Sequence, residues 1–268
     1  MIWTCRDKKI EYGKNVLIMG IVNVTPDSFS DGGDCFDEDR AVNRALELEK
    51  EGADIIDIGA QSTRPDYTPV SEDEEWRRLE PVLKKLTGKI TVPVSVDTYY
   101  PSVAEKALNL GVDIINDVSG VASSKMAKVV KNKGCGWILM YNGAGATKDV
   151  QDFFKKALKE CGKLGVSKDQ LCFDMGIGFG KSYEENMELL THIKDYRVEG
   201  CPLLLGVSRK KVIGKGSEQE NPKERVYGNI AADTVAILGG VDIIRLHDVK
   251  NEKQGIKMAE SLKEFYNG

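Results

Sequence analysis

Eight short β-branched runs recur along the 268 residues, each reaching a polar residue and each followed by a charged, amphipathic segment. They are "VLIMGIVN" (16–23), "DIIDIG" (54–59), "VPVSVDT" (92–98), "DIINDVS" (113–119), "GWILMYN" (136–142), "LCFDMG" (171–176), "LLLGVSRK" (203–210) and "DIIRLHD" (242–248). The segments between them read as helices over 38–51, 72–86, 101–110, 123–133, 150–164, 183–194, 222–238 and 253–266. Pro101 and Pro222 suit a first helical turn. Ser71, followed by acids at 72–75, is a helix start with an N-cap and a favourable dipole. Continuously apolar strands that alternate with helices form a parallel sheet covered on both faces. Eight such units in about 250 residues predict an α/β fold, a single-domain (β/α)8 TIM barrel. The domain is expected to span 1–268, with residues 1–14 forming a short hairpin before the first barrel strand. A doubly wound open sheet is the structural alternative.

Composition excludes several classes. Hydrophobic residues make up 41% and charged residues 30%, with a net charge of −4. That balance gives no electrostatic case for nucleic acid or an anionic membrane. No apolar run approaches the ~20 residues of a membrane span, and the N-terminal stretch lacks a signal peptide's apolar region. A cytoplasmic protein is expected. The six cysteines form no C-x-x-C pair and there are two histidines, so zinc, redox and His-based metal sites have no support. Free buried thiols in a reducing compartment are expected.

A barrel places its active site at the C-terminal ends of its strands. Those ends carry Asn23, Asp57, Asp97 with Thr98, Asn116 with Asp117, Asn142, Asp174, Ser208-Arg209-Lys210, and Arg245 with His247. Any one of them could be a turn or cap residue. Their convergence on one rim favours a site. Asp97, Asn116, Asp174 and Lys210 supply carboxylate, amide and ammonium groups that match a heterocycle edge of alternating donors and acceptors. Buried carboxylates without partners cost several kcal/mol, on the order of a lost hydrogen bond or more, so Asp97 and Asp174 need such a partner.

"GIGFGKS" (176–182) resembles a phosphate-binding loop but has only three residues between Gly176 and Gly180, one too few. Its glycines let backbone approach a ligand and present Phe179 to a flat substrate. "STRP" (62–65) sets Arg64, a bidentate phosphate donor, just after the second strand. Arg245 and His247, two apart, share one strand face. With the basic run at 209–211 they suit a diphosphate after strands seven and eight. "NVTPDSFSDGG" (23–33) reads as a lid based at Asn23, and Thr25 to Asp31 are expected to vary in order without ligand.

"GIVNVTPDSFSDGG" (20–33), "GADIIDIGAQSTRP" (52–65), "VSVDT" (94–98), "IIND" (114–117), "FDMGIGFGK" (173–181), "GVSRK" (206–210) and "IIRLHDV" (243–249) resemble dihydropteroate synthase, in the family's order and across nearly the whole chain. The resemblance implies a homodimeric transferase of folate biosynthesis. It would condense 6-hydroxymethyl-7,8-dihydropterin diphosphate with p-aminobenzoate, releasing diphosphate, with Mg2+ as cofactor and with sulfonamides as competitors. It further implies that Asp97, Asn116, Asp174, Lys210 and Arg245 hold the pterin. Thr63, Arg64, Arg245 and His247 would hold the diphosphate, and Asn23 the metal. Pro65, Phe179, Ser208 and Lys210 would border the p-aminobenzoate pocket. Asp97, Lys210, Arg64 and Asn23 would be the catalytic set, in an SN1-like departure of diphosphate before amine attack. Such chemistry needs no protein nucleophile, consistent with the lack of a Ser–His or Cys–His pair. The chain departs from the family's pattern at Gln61, Asp66, Tyr141-Asn142, Met175 and Lys211. Two other readings share the pterin set: a methyltetrahydrofolate:corrinoid methyltransferase, against which "NVTPDSFSDGG" and "STRP" argue, and a pterin-binding regulator without turnover.

Overall fold

The computed structural model describes residues 1–24, 38–61 and 69–266. Strands β1 (Ile2–Cys5) and β2 (Lys8–Glu11) form an antiparallel hairpin. Then β3 (Leu17–Asn23), β4 (Ile55–Gly59), β5 (Val94–Asp97), β6 (Ile114–Asp117), β7 (Gly136–Met140), β8 (Leu171–Asp174), β9 (Leu203–Leu205) and β10 (Ile243–Leu246) close into one barrel. Every pairing in it is parallel, and β10 returns to β3. The helices are α1 (Glu38–Glu51), α2 (Glu72–Leu86), α3 (Pro101–Asn109), α4 (Ser124–Lys133), α5 (Thr147–Lys163), α6 (Tyr183–Thr191), α7 (Lys211–Gly216), α8 (Val226–Leu238) and α9 (Val249–Tyr266). None is long and apolar enough to cross a membrane among the described residues.

The sequence carries the barrel's joints. Gly-[Ala/Val]-Asp-Ile-Ile-polar occurs at Gly52–Asp57, Gly111–Asn116 and Gly240–Arg245. Each glycine has positive φ, 100°, 100° and 95°, which ends the preceding helix. Asp54, Asp113 and Asp242 then accept the N–H of Ile18, Val94 and Leu203, pinning the start of a neighbouring strand at 2.8, 3.0 and 3.0 Å. The last position of each repeat, Asp57, Asn116 or Arg245, falls at the opposite end, where the site is built.

One large core fills the layer between strands and helices. A second, inside the barrel, joins Met19, Ile55, Ile114, Ile138, Cys172, Leu204 and Ile243 to Trp3, Cys5, Ile10 and Tyr12 of the hairpin and the residue after it. The hairpin thus closes the N-terminal end of the barrel. Trp3 is fully buried and its indole N–H reaches the Gln170 carbonyl at 2.9 Å.

Several expected boundaries shift. The seventh strand ends at Leu205, and the chain then turns at Ser208–Arg209, where the Lys210 N–H reaches the Val207 carbonyl at 3.0 Å and Arg209 adopts φ +63°. A six-residue helix, α7, begins at Lys211 where none was expected. The segment 183–194 breaks after Thr191 into a 3-10 turn at Ile193–Tyr196. The segment 222–238 opens with a 3-10 turn, Pro222–Glu224, before α8.

Candidate active site

Four strand ends meet across the C-terminal mouth. Arg245 Nε donates to Asp57 Oδ2 at 2.7 Å, and its Nη2 donates to Asp97 Oδ2 at 3.0 Å. Asn116 Nδ2 also donates to Asp57 Oδ2, at 3.1 Å. β4, β5, β6 and β10 are therefore tied through side chains that point inward. Asp57 is fully buried, and its Oδ1 has no hydrogen-bond partner among the described residues. Asp117, next to Asn116, faces the other way by strand alternation. It accepts from the Ser119 N–H and the Trp137 indole at 2.9 and 3.3 Å, a structural role and not a rim contact.

Asp174, at the end of β8, accepts the Gly176 N–H at 2.8 Å. Gly176 has φ +67°, and a Cβ there would lie 1.9 Å from the Tyr141 carbonyl oxygen, so this approach requires glycine. Lys210 crosses from the β9–α7 turn and donates to the Ile177 carbonyl at 2.6 Å. Its ammonium lies 4.7 Å from the centre of the Phe179 ring, a cation–π contact. Phe179 is half-buried and stands out of the main core.

Burial sets the electrostatics. It raises the Asp97 carboxyl to about 7, against the pull of Arg245 and with a push from Asp57. It raises Asp174 as well, opposed by Lys210. Lys210 is lowered to about 8 by burial, with Asp174 opposing. The residue as a whole is partly exposed, but its ammonium is enclosed, and the ammonium is what titrates. For Arg245, burial works against charge, and the carboxylates of Asp57 and Asp97 outweigh it. Beneath Asp97, the buried Glu75 accepts from Thr98 Oγ1 at 3.1 Å and is itself raised by burial to about 8.

His247 links two further residues. Its Nδ1 lies 3.0 Å from Ser208 Oγ, and its backbone N–H reaches the same oxygen at 3.2 Å. Its Nε2 lies 3.5 Å from Asn23 Nδ2, a weak contact. The structure thus gathers Asn23, Asp97, Asn116, Asp174, Phe179, Ser208, Lys210, Arg245 and His247 around one mouth. Thr63, Arg64 and Pro65 lie outside the described residues, as do Asp66 and the lid residues Thr25 to Asp31.

Two residues in the basic run do other work. Arg209 turns to Asp248, with Nη2–Oδ1 at 2.8 Å and Nε–Oδ2 at 3.1 Å. Lys211 is exposed at the start of α7. Sequence reading also missed Arg225. It is buried and donates to the carbonyls of Arg209, Lys210, Gln219 and Glu220, at 2.8, 3.2, 2.9 and 2.6 Å. Nothing in the local sequence marks an arginine that binds four carbonyls. Asp57 did have a signal, its place in the glycine–aspartate repeat.

The unusual residues have defined contacts. Gln61 donates to Tyr99 Oη and accepts the Val70 N–H, both at 2.9 Å, bracing the flanks of 62–68. Tyr141 lies under Lys181 Nζ, 4.6 Å from its ring centre. Asn142 donates to the Val118 carbonyl at 2.9 Å. Met175 is fully buried. None of these contacts displaces a described pterin-set residue.

Asn23 offers a hard amide oxygen at the mouth. No group of three or more His, Cys, Asp or Glu that could cage a metal occurs among the described residues. One such oxygen is compatible with Mg2+, which takes few protein ligands and keeps water and substrate phosphate in its shell.

Residues 19–247 match the family described as pterin binding enzyme. The chain is 40% identical to the dihydropteroate synthase of Clostridium beijerinckii over 260 residues, covering 94% of this chain and 96% of that one. Among solved structures, a Clostridium difficile dihydropteroate synthase in the presence of pteroic acid superposes with TM-score 0.89 at 43% identity, covering 94% and 98% of the two chains. The Xanthomonas albilineans dihydropteroate synthase in complex with 7,8-dihydropteroate gives 0.90 at 34% identity, covering 98% and 99%.

Proposed function

The chain belongs to the pterin binding enzyme family, and from that membership we propose that it is a dihydropteroate synthase, condensing 6-hydroxymethyl-7,8-dihydropterin diphosphate with p-aminobenzoate to give 7,8-dihydropteroate and diphosphate. The observation that carries this reading is the inward cluster of Asp97, Asn116, Asp174 and Lys210 around one mouth, with Arg245 bonded to Asp97 and to the Asp57 that Asn116 also holds. Ring N–H and NH2 donors of a pterin would supply the partners that Asp97 and Asp174 need in a buried setting. Asn116 and Lys210 would complete the edge.

In the proposed reaction the bond between the pterin methylene and the diphosphate oxygen breaks first, and its electrons leave with the diphosphate. The carboxylates of Asp97 and Asp174 favour the cation left behind. The amine lone pair of p-aminobenzoate then forms the new C–N bond, and the nitrogen loses a proton. Thr63, Arg64 and His247 are proposed to bind the diphosphate, where charge grows in the transition state. Arg245 engages Asp57 and Asp97, so its chief role here is to fix Asp97. Any hold on the diphosphate would fall to its remaining Nη1. Asn23, with the diphosphate oxygens, would hold Mg2+, which when bound supplies positive charge beside the leaving group. Phe179, Pro65, Ser208 and the Lys210 stem would border the p-aminobenzoate ring. A cytoplasmic setting fits the five described cysteines, all free and buried.

Calorimetry tests the pocket. Asp97→Asn and Lys210→Ala should each weaken pterin binding by roughly tenfold or more, since each removes a charged hydrogen-bond partner. Unchanged pterin affinity in both folded variants would refute the pocket.

A further inference from the structure

Behind the β9–α7 turn, two acids face each other where α8 and α9 pack. Asp233 of α8 is 2% exposed and Glu252 of α9 is 0% exposed. Each acid acts directly on the other across the helix pair. Asp233 Oδ1 and Glu252 Oε2 are both buried without a hydrogen-bond partner among the described residues. Ionised carboxylates only accept, so a bond between two of them requires a proton on one. One turn before Asp233 stands Asn229, also fully buried. Its Nδ2 donates to Glu252 Oε1 at 3.4 Å, and its Oδ1 accepts the Arg209 N–H at 3.3 Å. Arg209 is the non-glycine residue at φ +63°, a conformation that surrounding contacts must hold in place. It stands between Ser208 and Lys210.

We infer that Asp233 and Glu252 are a proton-sharing pair that, through Asn229, positions the Ser208–Lys210 turn for the reaction. Asp233 carries the proton and donates it toward Glu252. Glu252 fixes the Asn229 amide so that its oxygen faces Arg209. The charged groups acting on the pair from other elements are Arg209, in the turn, and Asp248, at the head of α9, which partly offset one another. Burial is the first cause raising both acids, Asp233 well above its ordinary value and Glu252 to about 7, and the neighbouring carboxyl adds to the rise at Asp233. The pair stands on two orphaned, buried carboxyl oxygens on packed helices, and its hold on the turn on the two Asn229 contacts. Only the consequence for turnover rests on the synthase reading.

Infrared difference spectroscopy on the full chain at neutral pH tests the shared proton. The wild type should show the carbonyl stretch of a protonated acid. Glu75 contributes to the same region, so the assignment lies in the variants. Asp233→Asn and Glu252→Gln each keep a hydrogen bond across the pair while removing one carboxyl, and each should lose a component of the band. A full band in either folded variant overturns the proposal. Hydrogen exchange tests the hold on the turn without any assay. The Arg209 amide should exchange roughly tenfold faster in Glu252→Leu, as expected for local opening of a lost support, and at the wild-type rate in Asp233→Asn, which mimics the protonated donor. Equal exchange in wild type and Glu252→Leu overturns it. With substrates, Glu252→Leu should raise the KM for p-aminobenzoate more than it lowers kcat, while Asp233→Asn should leave both near wild type. A wild type without turnover but with the band and the exchange difference would count against the synthase reading and leave this pair standing.

Discussion

At the residue scale, the site depends on burial working against charge. Asp97, Asn116 and Asp174 were legible in the sequence because each lies at a strand's end, where alternation and barrel geometry fix direction, whereas Lys210 lies in the turn past β9 and was legible by its motif. Their partners were not. Arg245 meets Asp57 across 188 positions of chain, and no local pattern reports closure of the barrel. Arg209 and Lys210 are adjacent cations of similar chemistry, yet one faces Asp248 and the other the mouth. The left-handed turn that separates them has no glycine to mark it. The titrations give a pH prediction. Asp97 is ionised above about 7 and Lys210 is protonated below about 8. In the free enzyme kcat/KM should therefore rise with pH through the first value and fall through the second. Stability should move otherwise. The folded Asp97 keeps its proton above the ordinary carboxyl pKa of about 4, so its contribution declines as pH rises from there to about 7. The folded Lys210 gives up its proton early, so its contribution improves with pH above about 8. A Lys210→Met enzyme that keeps the same alkaline fall in kcat/KM would contradict the assignment.

At the element scale, the helix and strand pattern was readable because parallel strands are continuously apolar and helices amphipathic. Helices α1 and α2 begin and end where the pattern placed them. Short elements escaped. α7 spans six residues, too few for a periodic signal, and the apolar run before it hid the end of β9. The loop after β8 shows what the sequence leaves implicit. Lys181 donates to the carbonyls of Gly176 and Phe179 at 2.9 and 3.1 Å while lying over the Tyr141 ring. It gathers the loop that carries Phe179, and no carboxylate hydrogen-bonds it among the described residues. Burial lowers it to about 8. Lys181→Met keeps the aliphatic stem and loses the donors. It should raise the KM for p-aminobenzoate several-fold, on the order of 1 kcal/mol for lost loop hydrogen bonds, with a smaller change in kcat. Steady-state kinetics showing kcat reduced and KM unchanged would place Lys181 in the chemistry and not in the loop.

At the scale of the whole molecule, one end of the barrel is closed by the hairpin and the other carries the polar mouth, so stability and chemistry occupy opposite ends. The flank formed by α8 and α9 exposes Tyr227, Val235, Met258, Leu262 and Phe265. Met258, Leu262 and Phe265 share one face of α9 by spacing. We propose this flank as the surface a homodimer buries. Sedimentation should show a dimer that Phe265→Asp shifts toward monomer, and a monomer at every concentration would contradict it. The substrate reading bears on the entire fold. The most direct test is a synthase assay on the purified protein with 6-hydroxymethyl-7,8-dihydropterin diphosphate and p-aminobenzoate, with and without Mg2+. Dihydropteroate and diphosphate should form in equal amounts, and only when Mg2+ is present. No dihydropteroate at saturating substrates and Mg2+, from a folded protein, would contradict the proposed function.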